Sequence, residues 1–148
     1  MDQIKWCFKQ KNGIDLIKPN LNLAYAYFER AKADFYELKK QNPVWKAIIS
    51  YYVCYNAFYS LLTRYGIKSE IHSCTLLLMC YFQGIKRYHP FLKQLKENRS
   101  NTQYYLKEPE NINIKKIKEY LIICENELLE TNQQKINELH RFIREQKE

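Results

Sequence analysis

Apolar residues recur along most of the chain at the three- and four-residue spacing of an α-helix. The longest such segment, residues 42–66, is apolar nearly all round, so a helix there must be buried on most sides. Asn42 and Pro43 suit the start of a helix, and Gly66 suits the residue that ends one. Charged, hydroxyl and tyrosine side chains make this segment too polar for a lipid bilayer. The pattern predicts the central helix of a soluble helical bundle.

Shorter amphipathic segments flank the central one, and short polar turns separate them, so consecutive helices should run antiparallel. Residues 98–103 form the most turn-like run and predict a loop, while residues 14–19 predict an extended link. The fold class is therefore all-α: an antiparallel up-and-down bundle of four or five helices with short additional helices, in a single domain spanning residues 1–148. Besides the central helix, we predict helices over residues 2–11, 20–40, 70–82, 90–98, 111–129 and 132–146.

Composition supports this class, since only 3 glycines and 4 prolines occur in 148 residues. The first ten residues are mixed and polar, unlike a signal peptide, which predicts a cytoplasmic protein without membrane association. The five cysteines show no Cys-x-x-Cys spacing and lie mostly in apolar helical runs, so we expect buried, reduced thiols. His72 and Cys74 are too close on one helix to share a metal ion, and we expect neither a metal nor a cofactor.

The chain has a net charge of +8, supplied mainly by lysine. Such a charge favours acidic partners, RNA first and an acidic protein surface second. No arginine-rich run or glycine–aromatic motif accompanies it. On charge alone, a solvated lysine surface without a specific partner is the simpler interpretation.

Three groups of residues are candidates for chemistry. In the first, Gly66 separates Arg64 from His72, so the two side chains are expected to face one cleft across a turn. His72 near a helix N-terminus should stay neutral and able to act as a base, while Arg64 could grip a phosphate. The alternative is a helix-terminal histidine bonded to backbone, with Arg64 covering the last carbonyls of the central helix.

The second group is Arg99 with Tyr104 and Tyr105, which together offer positive charge for a phosphate and rings for a base. Stacking of Arg99 on tyrosines of the core is the equally good structural interpretation. The third group is a polar line on one face of the central helix, including Tyr52, Asn56 and Tyr59. It predicts a hydrogen-bonded layer between helices, a dimer interface or the wall of a pocket.

Several of these stretches, in this order, make the sequence similar to HEPN domains (higher eukaryotes and prokaryotes nucleotide-binding), of the small stand-alone archaeal and bacterial type. The matching stretches are Lys-Pro-Asn at 18–20 with Glu-Arg-Ala at 29–31, the run Ser-Tyr-Tyr-Val-Cys-Tyr-Asn-Ala at 50–57, and Gly-Ile-Lys-Ser-Glu-Ile-His at 66–72. Arg99 followed by two tyrosines also resembles the family's later helix. The resemblance covers roughly residues 6–127.

This resemblance implies an antiparallel helical bundle that forms a homodimer and, in many members, pairs with a minimal nucleotidyltransferase as toxin and antitoxin. Active members are metal-independent RNases with an arginine, four to six residues and then a histidine. Here seven residues separate Arg64 from His72, and Arg99 is followed after four residues by Tyr104, not by histidine. A tyrosine cannot replace histidine in proton transfer near neutral pH.

We therefore expect a non-catalytic HEPN-type module that binds RNA, a nucleotide or a nucleotidyltransferase. The site residues expected for this binding are Arg64, His72, Arg99, Tyr104 and Tyr105. The alternatives are an RNase toxin that uses Arg64 and His72, and a purely structural interaction subunit.

Overall fold

The computed structural model describes residues 2–148, in which helix predominates and only one two-stranded sheet occurs. This confirms the all-α class. The strands are β1 (Ile14–Leu16) and β2 (Ile67–Ser69), and three short 3₁₀ turns cover Leu38–Lys40, Leu78–Tyr81 and Lys86–Tyr88. The α-helices are α1 (Gln3–Lys9), α2 (Leu21–Glu37), α3 (Pro43–Tyr65), α4 (His72–Leu77), α5 (His89–Tyr104), α6 (Ile114–Glu130) and α7 (Gln133–Lys147).

The central helix α3 lies where the apolar pattern predicted it. The Asn42 side chain accepts a hydrogen bond from the Trp45 amide at 2.9 Å, which caps the first turn. Gly66 ends the helix in the left-handed conformation, with φ of +73°. Helices α2, α5 and α6 pack against α3, whose fully buried side chains include Tyr51, Phe58 and Leu61. Helix α3 is therefore the centre of the hydrophobic core.

After Gly66 the chain turns back along α3 as a strand. β1 and β2 pair antiparallel, with Ile14 opposite Ser69 and Leu16 opposite Ile67. The extended link expected at 14–19 is thus partly a strand, and the pairing itself was not predicted, because three-residue strands are too short for a two-residue period to be recognised. β2 brings the chain back from the Gly66 end of α3 to its middle, where α4 begins.

The predicted loop at 98–103 is wrong, because α5 continues through it to Tyr104. Arg99 and Thr102 face inward, and the Asn98 side chain bonds both the amide and the carbonyl of Glu110, at 3.0 and 3.4 Å. Asn98 thus fastens the actual loop, residues 105–113, to the helix. Polar residues typical of turns here make contacts that only the tertiary structure supplies.

The expectation that all five cysteines are reduced thiols is also wrong. Cys7 and Cys74 form a disulfide with their Cα atoms 5.7 Å apart, because α1 and α4 meet although 67 positions separate the two cysteines. Cys54 and Cys124 are buried thiols, and burial raises the pKa of both. Disulfides persist mainly in oxidising compartments, so the expectation of a cytoplasmic protein does not account for this disulfide. Among residues 2–148, no helix has the length and apolar character needed to cross a lipid bilayer.

The C-terminal helix returns to the beginning of the chain. Lys147 Nζ donates to the Ile14 carbonyl at 2.6 Å and to the Asp15 carboxylate at 2.7 Å. Helix α7 also contacts α1. The last described turn of the chain is thereby joined to β1, the strand paired with the segment that leads into α4.

Candidate functional site

His72 is held between two tyrosines of α3. It is the first residue of α4, where β2 delivers the chain beside the middle of α3. Its Nδ1 lies 2.8 Å from the Tyr51 hydroxyl, and its ring stacks on Tyr55 with the centroids 4.3 Å apart and the planes 14° apart. The ring of His72 is therefore fixed in orientation by one hydrogen bond and one stacking contact. The bond uses Nδ1, so Nε2 is the ring nitrogen left for a ligand.

Arg99 reaches Tyr51 and its neighbour Tyr52 from α5. Its Nη1 donates to the Tyr52 hydroxyl at 2.9 Å, and its guanidinium carbon lies 4.9 Å from the centre of the Tyr51 ring. The guanidinium is also 5.4 Å from the Tyr52 ring and 5.9 Å from the Tyr104 ring. Cations at such distances are attracted to aromatic faces. Tyr51 thus touches both Arg99 of α5 and His72, which is 21 positions from it in the sequence.

The positive charge of Arg99 lacks an anion. The side chain is only 8% exposed, no carboxylate of the described residues forms an ion pair with it, and its buried Nε has no hydrogen-bond partner. Buried charges are normally paired, since leaving water is costly. Cation–π contacts and the Tyr52 hydroxyl offset part of that cost and supply no negative charge. The arrangement is suited to an anion that comes from outside the chain.

Neighbouring groups reinforce the positive potential. Burial lowers the pKa of His72, and the charges of Arg99 and Lys96 lower it further. Burial also lowers the pKa of Lys96, with Arg99 again contributing. Histidine with a lowered pKa is uncharged at neutral pH. The cluster therefore presents a neutral imidazole next to two cations.

The Tyr51 phenol stays protonated, because burial raises its pKa well above the ordinary value, more than the nearby Arg99 lowers it. A phenol can donate or accept, so the bond to His72 is compatible with two tautomers. If Tyr51 donates, Nε2 of His72 carries the proton and is a hydrogen-bond donor. If Nδ1 donates to Tyr51, Nε2 has a free lone pair and can act as a base.

The structure brings four of the sequence-predicted residues together: His72, Arg99, Tyr52 and Tyr104. Tyr104 is 65% exposed, so its ring is accessible beside the buried guanidinium. Tyr105, the first residue after α5, is 70% exposed. We refer to Tyr51, Tyr52, Tyr55, His72, Lys96, Arg99 and Tyr104 as the Arg99 cluster.

Arg64 lies elsewhere. It is on the last turn of α3, thirteen residues after Tyr51, which at 1.5 Å per residue is about 20 Å along the helix. The expected cleft shared by Arg64 and His72 is therefore wrong. The reason is strand β2, which carries the chain back to the middle of α3, so that α4 begins there, at His72 and not at residue 70 as predicted.

The polar line on α3 is divided between two roles. Tyr52 belongs to the Arg99 cluster, whereas Tyr59 packs its ring against Tyr55 and Tyr27 at 5.8 and 5.2 Å. Asn56 is half-buried beside them. Ser60 and Thr63 lie on the same line, and their hydroxyls donate to carbonyls of α3 itself and not to a neighbouring helix.

Sequence reasoning missed Tyr51, Tyr55 and Lys96. The four-residue spacing of Tyr51 and Tyr55 puts them on one face of α3, which was a usable signal. Lys96 is three residues before Arg99 on α5 and would have joined it on one face had the helix been predicted to continue.

The sequence matches no family model, and no curated protein or solved structure shows significant similarity to the chain. Within residues 2–148, no group of three or more histidine, cysteine, aspartate or glutamate side chains could hold a metal ion.

Proposed function

We propose that this chain is a non-catalytic HEPN-type module that binds RNA or a nucleotide at the Arg99 cluster. The observation that supports this most is the buried Arg99 guanidinium without a carboxylate partner and with an unbonded Nε. A phosphate would supply the missing negative charge and accept hydrogen bonds from the guanidinium. The resemblance to HEPN domains, which suggests the same class of ligand, is independent of that geometry.

The proposed ligand would use the cluster in two parts. Its phosphate would lie against Arg99 and Lys96, with Nε2 of His72 as a further donor in one tautomer. Its base would stack on the exposed ring of Tyr104, as bases commonly stack on aromatic side chains in single-stranded RNA recognition. Stacking is tolerant of base identity, so we expect little sequence preference.

Fluorescence anisotropy with a labelled single-stranded oligoribonucleotide tests the proposal, using Arg99→Met and the matched control Arg64→Met. Loss of a charge-assisted hydrogen bond to phosphate should weaken binding about tenfold or more for Arg99→Met. Arg64→Met removes the same charge about 20 Å away and should change the Kd less than about threefold. Equal loss in the two variants would mean that binding follows net charge alone, and no binding by the wild type would remove the ligand half of the proposal.

A metal-independent RNase is the second candidate, and the shared contact of His72 and Arg99 with Tyr51 favours it. In that case Nε2 of His72 would take the proton from a ribose 2′-hydroxyl while Arg99 stabilises the phosphate, the part first assigned to Arg64. Incubation of RNA with the protein in a chelator distinguishes the candidates. Cleavage that His72→Ala abolishes and Arg64→Met leaves intact would favour the enzyme.

The remaining parts of the proposal come from the helical periodicity of the sequence and from the HEPN resemblance. They are an antiparallel bundle of four or five helices, a homodimer, and a minimal nucleotidyltransferase partner in a cytoplasmic toxin–antitoxin pair. Sedimentation velocity would measure the dimer, and co-purification with a nucleotidyltransferase from a neighbouring reading frame would test the pairing. A partner without RNA binding or cleavage would favour a purely structural subunit.

A further inference from the structure

A second surface of the molecule is a groove between α2 and α6. Both helices pack on α3, and between them lies a cavity of about 900 Å³ that shares no lining residue with the Arg99 cluster. Phe28 and Leu121 are its buried apolar residues, and Phe35 is half-buried. We refer to this surface as the α2–α6 groove.

The groove has large apolar side chains that remain in contact with water. Tyr36 on α2 is 72% exposed, and Ile122 on α6 is 53% exposed. A single exposed apolar residue is ordinary, but here two of them line the same groove as buried aromatic and aliphatic residues and give it an apolar strip. Such strips are typical of surfaces on which another helix lies.

Lysines surround this strip. Lys39, Lys115 and Lys118 line the groove, and none of them pairs with a carboxylate of the described residues. The one lining carboxylate, Glu125, already has Lys32 at 3.8 Å. The rim of the groove therefore has three uncompensated positive charges around an apolar floor.

We propose that the α2–α6 groove binds an acidic amphipathic helix of a partner protein. The apolar face of such a helix would cover Phe35, Tyr36 and Ile122, and its carboxylates would face Lys39 and the lysines of α6. A second copy of this chain fits poorly, because the same lysines would meet one another in a protein whose net charge is +8. The strip of apolar side chains likewise has no counterpart on a sugar–phosphate backbone.

A synthetic helical peptide with leucine on one face and glutamate on the other is a direct probe. We expect the labelled peptide to bind the wild-type chain, as measured by fluorescence anisotropy, and a scrambled peptide of the same composition to bind much more weakly. The double variant Lys115→Glu/Lys118→Glu should weaken binding about tenfold, since two attractive pairs become repulsive. The matched control Lys5→Glu/Lys9→Glu makes the same charge change on the exposed face of α1 and should leave the Kd within about twofold.

Charge reversal on the peptide completes the test. A peptide with lysine in place of glutamate should bind Lys115→Glu/Lys118→Glu and not the wild type. Ile122→Ser should weaken the acidic peptide without a change of charge, and circular dichroism of each variant checks that the helices are retained. Equal binding of the scrambled peptide, or equal loss in the α1 control, would overturn the proposal.

The test can also show that a second copy of this chain occupies the groove. If the chain sediments as a dimer that Ile122→Asp dissociates, the groove is filled by another copy and the acidic-partner proposal is wrong. Measurements of RNA binding distinguish this proposal from the function proposed above. The Lys115→Glu/Lys118→Glu variant should lose the acidic peptide and keep its RNA affinity, whereas Arg99→Met should do the reverse.

Discussion

Two regions along α3, its C-terminal end and its middle, each contain an arginine, a tyrosine and a histidine. The surroundings of these residues differ between the two regions. At the C-terminal end, His140 Nε2 bonds the Tyr65 carbonyl, and Arg64 is half-buried on the last helical turn. Tyr65 is buried with a raised pKa, caused mainly by burial and opposed by a hydrogen bond to Thr131. Every polar group named at this end has a protein partner or access to water.

In the middle of α3, the same residue types form the Arg99 cluster. There His72 is bonded by a tyrosine, and Arg99 is buried with neither a carboxylate nor a partner for its Nε. The difference teaches that residue type alone does not identify a binding site. What distinguishes the cluster is a charge that folding has removed from water without supplying its counter-ion.

Disturbing the segment that connects these two regions should have the largest effect on stability. Gly66 begins the segment, including β2, that carries the chain from Arg64 to His72, and a Cβ there would collide with the Ile17 carbonyl and lie 2.9 Å from Pro19. Gly66→Ala should lower the free energy of unfolding by about 3 kcal/mol, since both the positive φ and the space oppose alanine. Urea denaturation measures it. Gly84→Ala is the control, because its Cβ would meet Glu127 at an ordinary 3.4 Å and should cost less than about 1 kcal/mol.

Removing the unpaired charge of Arg99 should raise stability, whereas Gly66→Ala should lower it. Arg99→Met should raise the free energy of unfolding by about 1 kcal/mol, because a buried charge without an anion is replaced by a side chain of similar length and no charge. Arg64→Met should leave it unchanged within about 0.5 kcal/mol. A fall of several kcal/mol in Arg99→Met would instead show that the arginine holds α5 to α3 and is structural.

The Tyr51–His72 bond should have an effect of similar or smaller size. Tyr51→Phe removes the bond and should lower the free energy of unfolding by about 1 kcal/mol, in the range of a single hydrogen bond. Its more informative consequence is on the pKa of His72, followed by NMR. A rise means that Tyr51 donates to Nδ1 and stabilises the neutral ring, whereas a fall means that Nδ1–H donates and that Nε2 is free to act as a base.

Acidification should give the smallest effect. Because the pKa of His72 is lowered on folding by burial and by Arg99 and Lys96, the unfolded chain binds more protons between that lowered value and about 6.5. Stability should therefore decrease as the pH falls through this window. His89, whose pKa is lowered by burial and by Lys93, contributes in the same direction, so it is replaced by glutamine in both chains compared. In that background His72→Gln should reduce the pH dependence of the free energy of unfolding, measured by urea denaturation. An unchanged pH dependence would contradict the lowered pKa of His72.

The sequence was sufficient for features that depend on neighbouring residues. The bounds of α3 follow from Asn42, Pro43 and Gly66, and the amphipathic stripes predicted α2, α6 and α7 to within a few residues. Features that depend on distant contacts were missed. The α5 helix continues through residues 98–104, where its turn-like polar side chains bond the following loop or point into the protein.

The arrangement of residues in the candidate site was missed for the same reason. Arg99 and His72 were each identified, yet nothing local indicates that a three-residue strand returns His72 to Tyr51 while Arg64 stays behind. The Cys7–Cys74 disulfide likewise joins residues 67 positions apart, and no spacing rule reveals such a pair.

The contact of Lys147 with β1 has a practical consequence for protein engineering. Because the final turn of α7 lies beside Ile14 and Asp15, and α7 contacts α1, a linker could join the end of α7 to α1. A circular permutant opened within residues 105–108, which are all exposed, would keep both the β1–β2 pairing and this lysine contact intact. An affinity tag placed at those new ends would emerge beside Tyr104, and one appended after Glu148 would emerge beside β1.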